Sequence, residues 1–316
     1  MSASVAEEMR QDGTAAETAA PRQEAAAPFP RRVSVEVTNY CNQRCVLCPR
    51  QDFTRPLGFM DRAVFERIAL ECARHATRLW LHFLGEPLLH RDLVSMIEFA
   101  KHAGVAEVGL STNALSLHGR LADALLQSGL DRLECSMDAD DAEAYLAMRG
   151  RDHFDRVSAN VRAFLERKRA LGCERPITSI QFMRTPALLT TLDRVVETWR
   201  PLLGPRDFVM TIEPASFGGA VAVSGAVPDQ RPPCQWLYSA LMILQDGTVT
   251  MCGADWDAHA PLGNVHTTTI AEVWNGVELT RRRRAHEEGR FADVAPCAGC
   301  EDWRLADGHG YQKATE

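Results

Sequence analysis

Three cysteines crowd into one short stretch, CNQRCVLCPR, as Cys41, Cys45 and Cys48. Thiolates spaced C-x3-C-x2-C can anchor three corners of a [4Fe–4S] cube. The fourth iron then stays open to a small chelating ligand. A structural zinc ion is the competing reading, but zinc asks for four closed ligands. No histidine or fourth cysteine lies nearby in the sequence. The missing fourth ligand is therefore the feature with chemical meaning.

The elements that must position this loop follow from the pattern around it. The chain has 316 residues, 46% of them hydrophobic, enough for one large domain or two modest ones. Its net charge of −7 argues against a nucleic-acid footprint. No apolar run reaches the roughly 18–20 residues of a membrane span, and the N-terminus lacks the apolar core of a secretory signal. A cytoplasmic protein is expected, in which ten cysteines serve as metal ligands or catalysts before disulfides.

Residues 1–30, rich in Ala, Glu, Gln and Thr, read as a disordered tail. From Arg32 onward β-rich runs at 33–39, 78–84, 107–113, 132–138, 177–183 and 208–214 alternate with helical stretches near 61–76, 91–103, 117–129, 154–171 and 188–200. Such alternation predicts right-handed βαβ units and a parallel sheet. Six units suit an α/β fold of the partial (β/α)6 barrel kind over residues 31–228, with its site at the C-terminal strand ends. The Gly/Pro-rich segment 217–233 reads as a linker into a small unit over 229–316. That unit holds a hairpin at 239–252 turning at Asp246-Gly247. A capping box at Thr269–Glu272 opens a helix running to about Glu288, with Gly289 as its stop.

These residues resemble the radical S-adenosylmethionine (SAM) enzymes over about residues 32–300. The cluster loop TNYCNQRCVLCPR comes first. Gly85-Glu86-Pro87 resembles the family's GEP motif, which holds the methionine amino group. Thr112-Asn113 stands where the family has TNG, and Ser136 and Asp138 where it has S-x-D. The departures are Leu47 for an aromatic residue before the third cysteine, Leu84 for a glycine, and Ala114 for the glycine of TNG. Further on, Cys234, Cys252, Cys297 and Cys300 are similar to the SPASM/twitch extension. With no cysteine after Cys300, the shorter twitch form is expected, as in the 2-deoxy-scyllo-inosamine dehydrogenases of antibiotic biosynthesis. The resemblance implies a SAM-binding [4Fe–4S] cluster on Cys41, Cys45 and Cys48 and an auxiliary [4Fe–4S] cluster on the other four. A zinc-binding interaction protein is the non-enzyme alternative.

The resemblance further implies that SAM cleavage gives a 5′-deoxyadenosyl radical that takes hydrogen from a C–H bond. An external one-electron donor of the flavodoxin or ferredoxin type is expected, and no nucleic-acid or membrane partner. A dehydrogenase then needs a base and an electron acceptor; an epimerase needs a non-ligand thiol. Every cysteine of the C-terminal unit is spoken for, which favours oxidation of an alcohol. Only 40 residues precede Cys41, which favours a small polar substrate over a peptide, and the resemblance to the dehydrogenase implies an aminocyclitol or aminosugar.

Other residues complete the expected site. Glu213 ends the sixth strand as a candidate base, and Arg184 as a partner for the SAM carboxylate. Cys135 is a candidate hydrogen donor, although alternation with Ser136 turns it outward. Cys72 and Cys173 read as core thiols. His82 falls on the face of Glu86, as a packed strand histidine or a substrate contact, and His90 reads as a cap. Asp255 and Asp257 read as loop caps or substrate contacts. The run Arg281–Arg284 reads as a solvated helix face.

Overall fold

The computed structural model describes residues 27–223, 230–305 and 311–314. Six strands run parallel in chain order: β1 (Arg32–Val35), β2 (Arg78–Trp80), β3 (Glu107–Thr112), β4 (Arg132–Ser136), β5 (Ile177–Met183) and β6 (Phe208–Ile212). Each pairs with the next. Their side chains alternate in fate as the pleat dictates. Val33, Val35, Val108, Leu110, Leu133 and Cys135 are fully buried in the hydrophobic core. Arg32, Ser34, Ser111, Arg132 and Glu134 instead line an interior cavity. This is the partial six-stranded barrel that the alternation predicts.

The crossovers carry helices α1 (Arg62–Arg74), α2 (Leu93–His102), α3 (Gly119–Gln127), α4 (Ala142–Arg149), α5 (Phe154–Ala170) and α6 (Pro186–Trp199). Helix α4 was not expected. Asp141 caps its start by accepting from the Ala144 N–H, and Gly150 ends it in the left-handed region at φ 68°.

The C-terminal unit does not stand apart. It contributes α7 (Trp236–Ser239), β7 (Ala240–Ile243), β8 (Thr248–Thr250), β9 (Gly263–Asn264), α8 (Ile270–Trp274), α9 (Val277–Glu287) and β10 (Tyr311–Lys313). Strand β7 pairs in parallel with β1, Arg32 opposite Ala240 and Val35 opposite Ile243. Strand β10 runs antiparallel to β6. One sheet of order β10-β6-β5-β4-β3-β2-β1-β7-β8-β9 thus joins both units. The β7–β8 hairpin turns at Gly247, φ 84°.

Three expectations change. The helix opened by the Thr269–Glu272 capping box breaks at Asn275-Gly276 and restarts as α9. The four arginines of α9 do not share a solvated face: Arg282 and Arg283 are buried. Arg282 donates to the Ala260 carbonyl at 2.8 Å, and Arg283 to the Leu237 and Trp274 carbonyls at 2.8 and 2.9 Å. Residues 27–30 pack rather than trail: Phe29 is buried and stacks on His75, and Trp274 Nε1 donates to the Ala27 carbonyl at 2.6 Å. The rest of the expected tail, and 224–229 of the expected linker, lie outside the described residues. Among the described residues no helix is long and apolar enough to cross a membrane.

Candidate active site and cluster centres

The cysteine loop leaves the C-terminal end of β1 and is fixed at both ends. Glu86 N–H donates to the Tyr40 carbonyl at 2.8 Å, and Arg44 and Val46 N–H groups donate to Arg149 and Met148 of α4. Gly85 must be glycine here, since a Cβ would sit 1.8 Å from the Thr38 carbonyl oxygen. The three thiols are half-buried and free. Burial pushes Cys41 and Cys48 up to about 11, and each also feels the neighbouring Cys45. As bare thiols they therefore stay protonated, and a bound cation is what would hold them as thiolates.

Beside the loop, the expected motif residues form two hydrogen-bonded groups, one around Glu86 and one around Asp138. Glu86 is buried, with Thr112 Oγ1 and the Asn113 N–H each 2.7 Å from its carboxylate, and burial raises its carboxyl above the usual range. Asn113 Nδ2 reaches Asn42 Oδ1 at 2.7 Å and Cys41 Sγ at 3.8 Å. Asp138, held at φ 64°, pairs with Arg149 at 2.8 Å. Arg149 also donates to the Ser136 carbonyl and reaches Cys45 Sγ at 3.6 Å. Sequence reasoning missed Arg149; its only sequence signal is an arginine closing a short helix just before a glycine.

The second group, Cys234, Cys252, Cys297 and Cys300, is also free, and all but Cys252 are buried. Burial raises all four thiols, Cys234 and Cys297 to about 12; neighbouring cysteines add to this at Cys234, Cys252 and Cys297, and Asp302 at Cys300. Among the described residues no three His, Cys, Asp or Glu side chains converge as the ligands of a single ion would. Three thiols on one loop are the ligand set of a [4Fe–4S] cube with one open iron, and four thiols that of a cube held at every corner.

A cavity of about 460 Å³ touches both groups, lined by Cys41, Cys45 and Cys48 of the first and by Cys252 of the second. Gly85, Glu86, Thr112, Asn113, Ser136 and Asp138 all line it. His82, Ser111 and Glu134 add polar groups to the lining. Ser111 Oγ donates to Glu134 at 2.6 Å, and His82 Nδ1 is shut from water without a hydrogen-bond partner. Trp80 lies on Gly109, where a Cβ would meet its ring at 2.2 Å. Methionines line the remaining wall, Met183, Met210, Met242 and Met251 among them.

Several expected residues lie elsewhere. Arg184 and Glu213 pair with each other at 2.8 Å, Arg184 also reaching Thr211 Oγ1 at 3.0 Å, and neither lines the cavity. Cys135 is buried in the core on the opposite face from Ser136. Pro87 opens a 3-10 turn, Pro87–Leu89, that Glu86 caps. Asp257 caps Thr54 and Asp255 caps Ala260, so both carboxylates serve loop backbone.

Comparison with known proteins agrees with this geometry. Residues 35–173 match the radical SAM superfamily model, and residues 234–301 match the SPASM model, an iron–sulfur cluster-binding domain. A probable GTP 3′,8-cyclase of Methanopyrus kandleri is 31% identical over 203 residues, 64% of this chain and 60% of that protein. The GTP 3′,8-cyclase of Chlorobaculum tepidum is 32% identical over 127 residues, 40% of this chain and 38% of that protein. The chain thus spans about two-fifths to three-fifths of the length of these curated relatives. Among solved structures, BtrN in complex with AdoMet and 2-DOIA superposes with TM-score 0.58 at 18% identity, covering 86% of this chain and 93% of that one. Streptococcus suis SuiB bound to precursor peptide SuiA gives 0.68 at 13%, covering 87% and 72%. These two likenesses show the fold. The cofactors that accompany the two matched domains are SAM and two [4Fe–4S] clusters. The chain carries a radical SAM domain over residues 35–173 and a C-terminal iron–sulfur cluster-binding SPASM domain over residues 234–301.

Proposed function

We propose that this enzyme oxidises an alcohol of a small polar substrate, an aminocyclitol or aminosugar, to a ketone. One observation carries the reading: a single cavity touches both cysteine groups. Cys41, Cys45 and Cys48 would hold the SAM-site cluster, and Cys234, Cys252, Cys297 and Cys300 the auxiliary one. When bound, these groups supply a 5′-deoxyadenosyl radical that takes the substrate hydrogen, and an acceptor for one electron. The rest falls to the chain. Glu86, Thr112, Asn113, Ser136 and Asp138 position the cofactor end of the cavity. The cavity volume lies near the lower end of the roughly 300–1,000 Å³ of ligand sites. Since it must take SAM as well, the substrate is small. Ser111 and Glu134 would bind its polar groups. Glu134, which lines the cavity and whose carboxyl burial raises above the usual range, would take the hydroxyl proton. The substrate thereby loses a hydrogen atom, a proton and an electron, which leaves a carbonyl. An external one-electron carrier of the flavodoxin or ferredoxin type would supply and recover the electron.

Epimerisation would need a thiol in the cavity besides the cluster ligands. Among the described residues its lining cysteines are Cys41, Cys45, Cys48 and Cys252. A second reading, a purine nucleotide substrate, is favoured by the identity shared with the GTP 3′,8-cyclases. An anaerobic reaction with reductant, SAM and candidate aminocyclitols, aminoglycosides or GTP in deuterated water tests all three. Loss of two hydrogens supports oxidation. Unchanged mass with deuterium uptake indicates epimerisation, and turnover of GTP alone indicates the second reading.

A further inference from the structure

Arg231 occupies an unusual place beside the second cysteine group. Its Nη1 donates to the Cys297 carbonyl at 2.7 Å, and its Nε is buried without a partner. The guanidinium lies over the Phe291 ring at 4.3 Å and 6.0 Å from the Trp303 ring. Among the described residues no carboxylate pairs with it. Its bond to Cys297 sets the guanidinium against the cysteine group. The other charges near these sulfurs are already engaged. Asp302, facing Cys300, accepts from the Ser216 and Gly218 N–H groups. Asp255 and Arg282, facing Cys297, are held by the His259 N–H and by Glu278.

A half-buried cation set against aromatic rings, with no carboxylate paired to it among the described residues, favours whichever state of its neighbour is more negative. A four-thiolate cluster gains one negative charge on reduction, and nearby charge is among the factors that set its potential. We propose that Arg231 raises the reduction potential of the auxiliary cluster and so makes it the site that accepts the substrate's electron. This rests on the four-cysteine cluster assigned above. Arg231 acts through that cluster and is a positioning residue, touching no substrate.

The test is an EPR-monitored redox titration of reconstituted protein, wild type against Arg231→Met and Arg231→Lys. Arg231→Met should lower the auxiliary midpoint by at least the 59 mV that a tenfold change in a one-electron equilibrium represents. Arg231→Lys should keep most of the wild-type value, and the SAM-site cluster should not move in either. Should Arg231→Met fail to hold its iron, Arg231→Gln, whose amide can still donate to Cys297, serves in its place. Two clusters with an unmoved auxiliary midpoint would overturn the inference alone. Wild-type protein with only about four irons per chain would overturn the cluster assignment beneath it.

Discussion

The guanidinium of Arg149 stands 2.8 Å from the Asp138 carboxylate, and both groups are buried at the edge of the cysteine loop. The same guanidinium reaches Cys45 at 3.6 Å. Helix α4 and the end of β4 are thereby locked onto the loop that carries the first three thiols.

Replacing Asp138 with Asn should therefore cost more than a surface pair would. It leaves a buried arginine without its carboxylate, a loss of about 3–5 kcal/mol. Scanning calorimetry of anaerobic protein checks this. A change in midpoint no larger than that of an exposed pair such as Arg167–Asp123 would show that the buried pair is not coupled as the geometry implies.

A second buried pair ties the loop after Cys48 to β1. Arg55 donates to both Glu36 oxygens, at 2.5 and 2.7 Å, and to Gln245 at 2.8 Å. Arg55→Met should destabilise by about 3–5 kcal/mol. Changing Glu36 to Gln as well should recover part of that loss, because the uncompensated carboxylate is then gone. No recovery in the double variant would contradict this reading.

Acid stability should report on His82. Burial, then the charge of Arg32, holds its imidazole at about 3 rather than the ordinary 6.5. The unfolded chain takes up a proton near pH 6.5 that the folded chain refuses. Stability from this group is thus complete above pH 6.5 and falls as the pH drops towards 3, by at most about 1.4 kcal/mol per pH unit. His82→Gln should flatten that slope in denaturation curves taken from pH 4 to 7. Parallel curves for the two proteins would mean that His82 charges freely in the fold.

The contact between Trp80 and Gly109 gives a packing test. Gly109→Ala would drive a methyl into the indole, 2.2 Å from its nearest atom. The cost should be about 1–3 kcal/mol. Trp80→Leu should lift most of it in the double variant, measured as a cycle of thermal midpoints. Additive losses would show that the indole has other room.

What the chain discloses without coordinates is the local pattern. The six strand positions of the barrel, the Asp246-Gly247 turn and the Thr269–Glu272 capping box follow from alternation and turn chemistry, and the structure holds each of them. The residues around Glu86 were legible only through their resemblance to the family's motifs, and the structure brings Glu86, Thr112 and Asn113 together. Contacts between distant segments were not. Arg184 and Glu213 both sit at strand ends, yet the β5–β6 pairing brings them to each other rather than into the cavity. Arg282 and Arg283 carry no periodic signal, since their burial depends on carbonyls from α7, α8 and the 260 loop. The parallel pairing of β7 with β1 joins residues about 200 apart, which no window of the sequence spans.

The central claim is one cluster with an open iron beside another with none. Anaerobically reconstituted protein should carry about eight irons per chain. In a Cys297→Ala variant iron should fall by about half, and the EPR signal of the remaining reduced cluster should shift when SAM is added. A remaining signal indifferent to SAM, or purified protein that binds zinc in place of iron, would contradict the account.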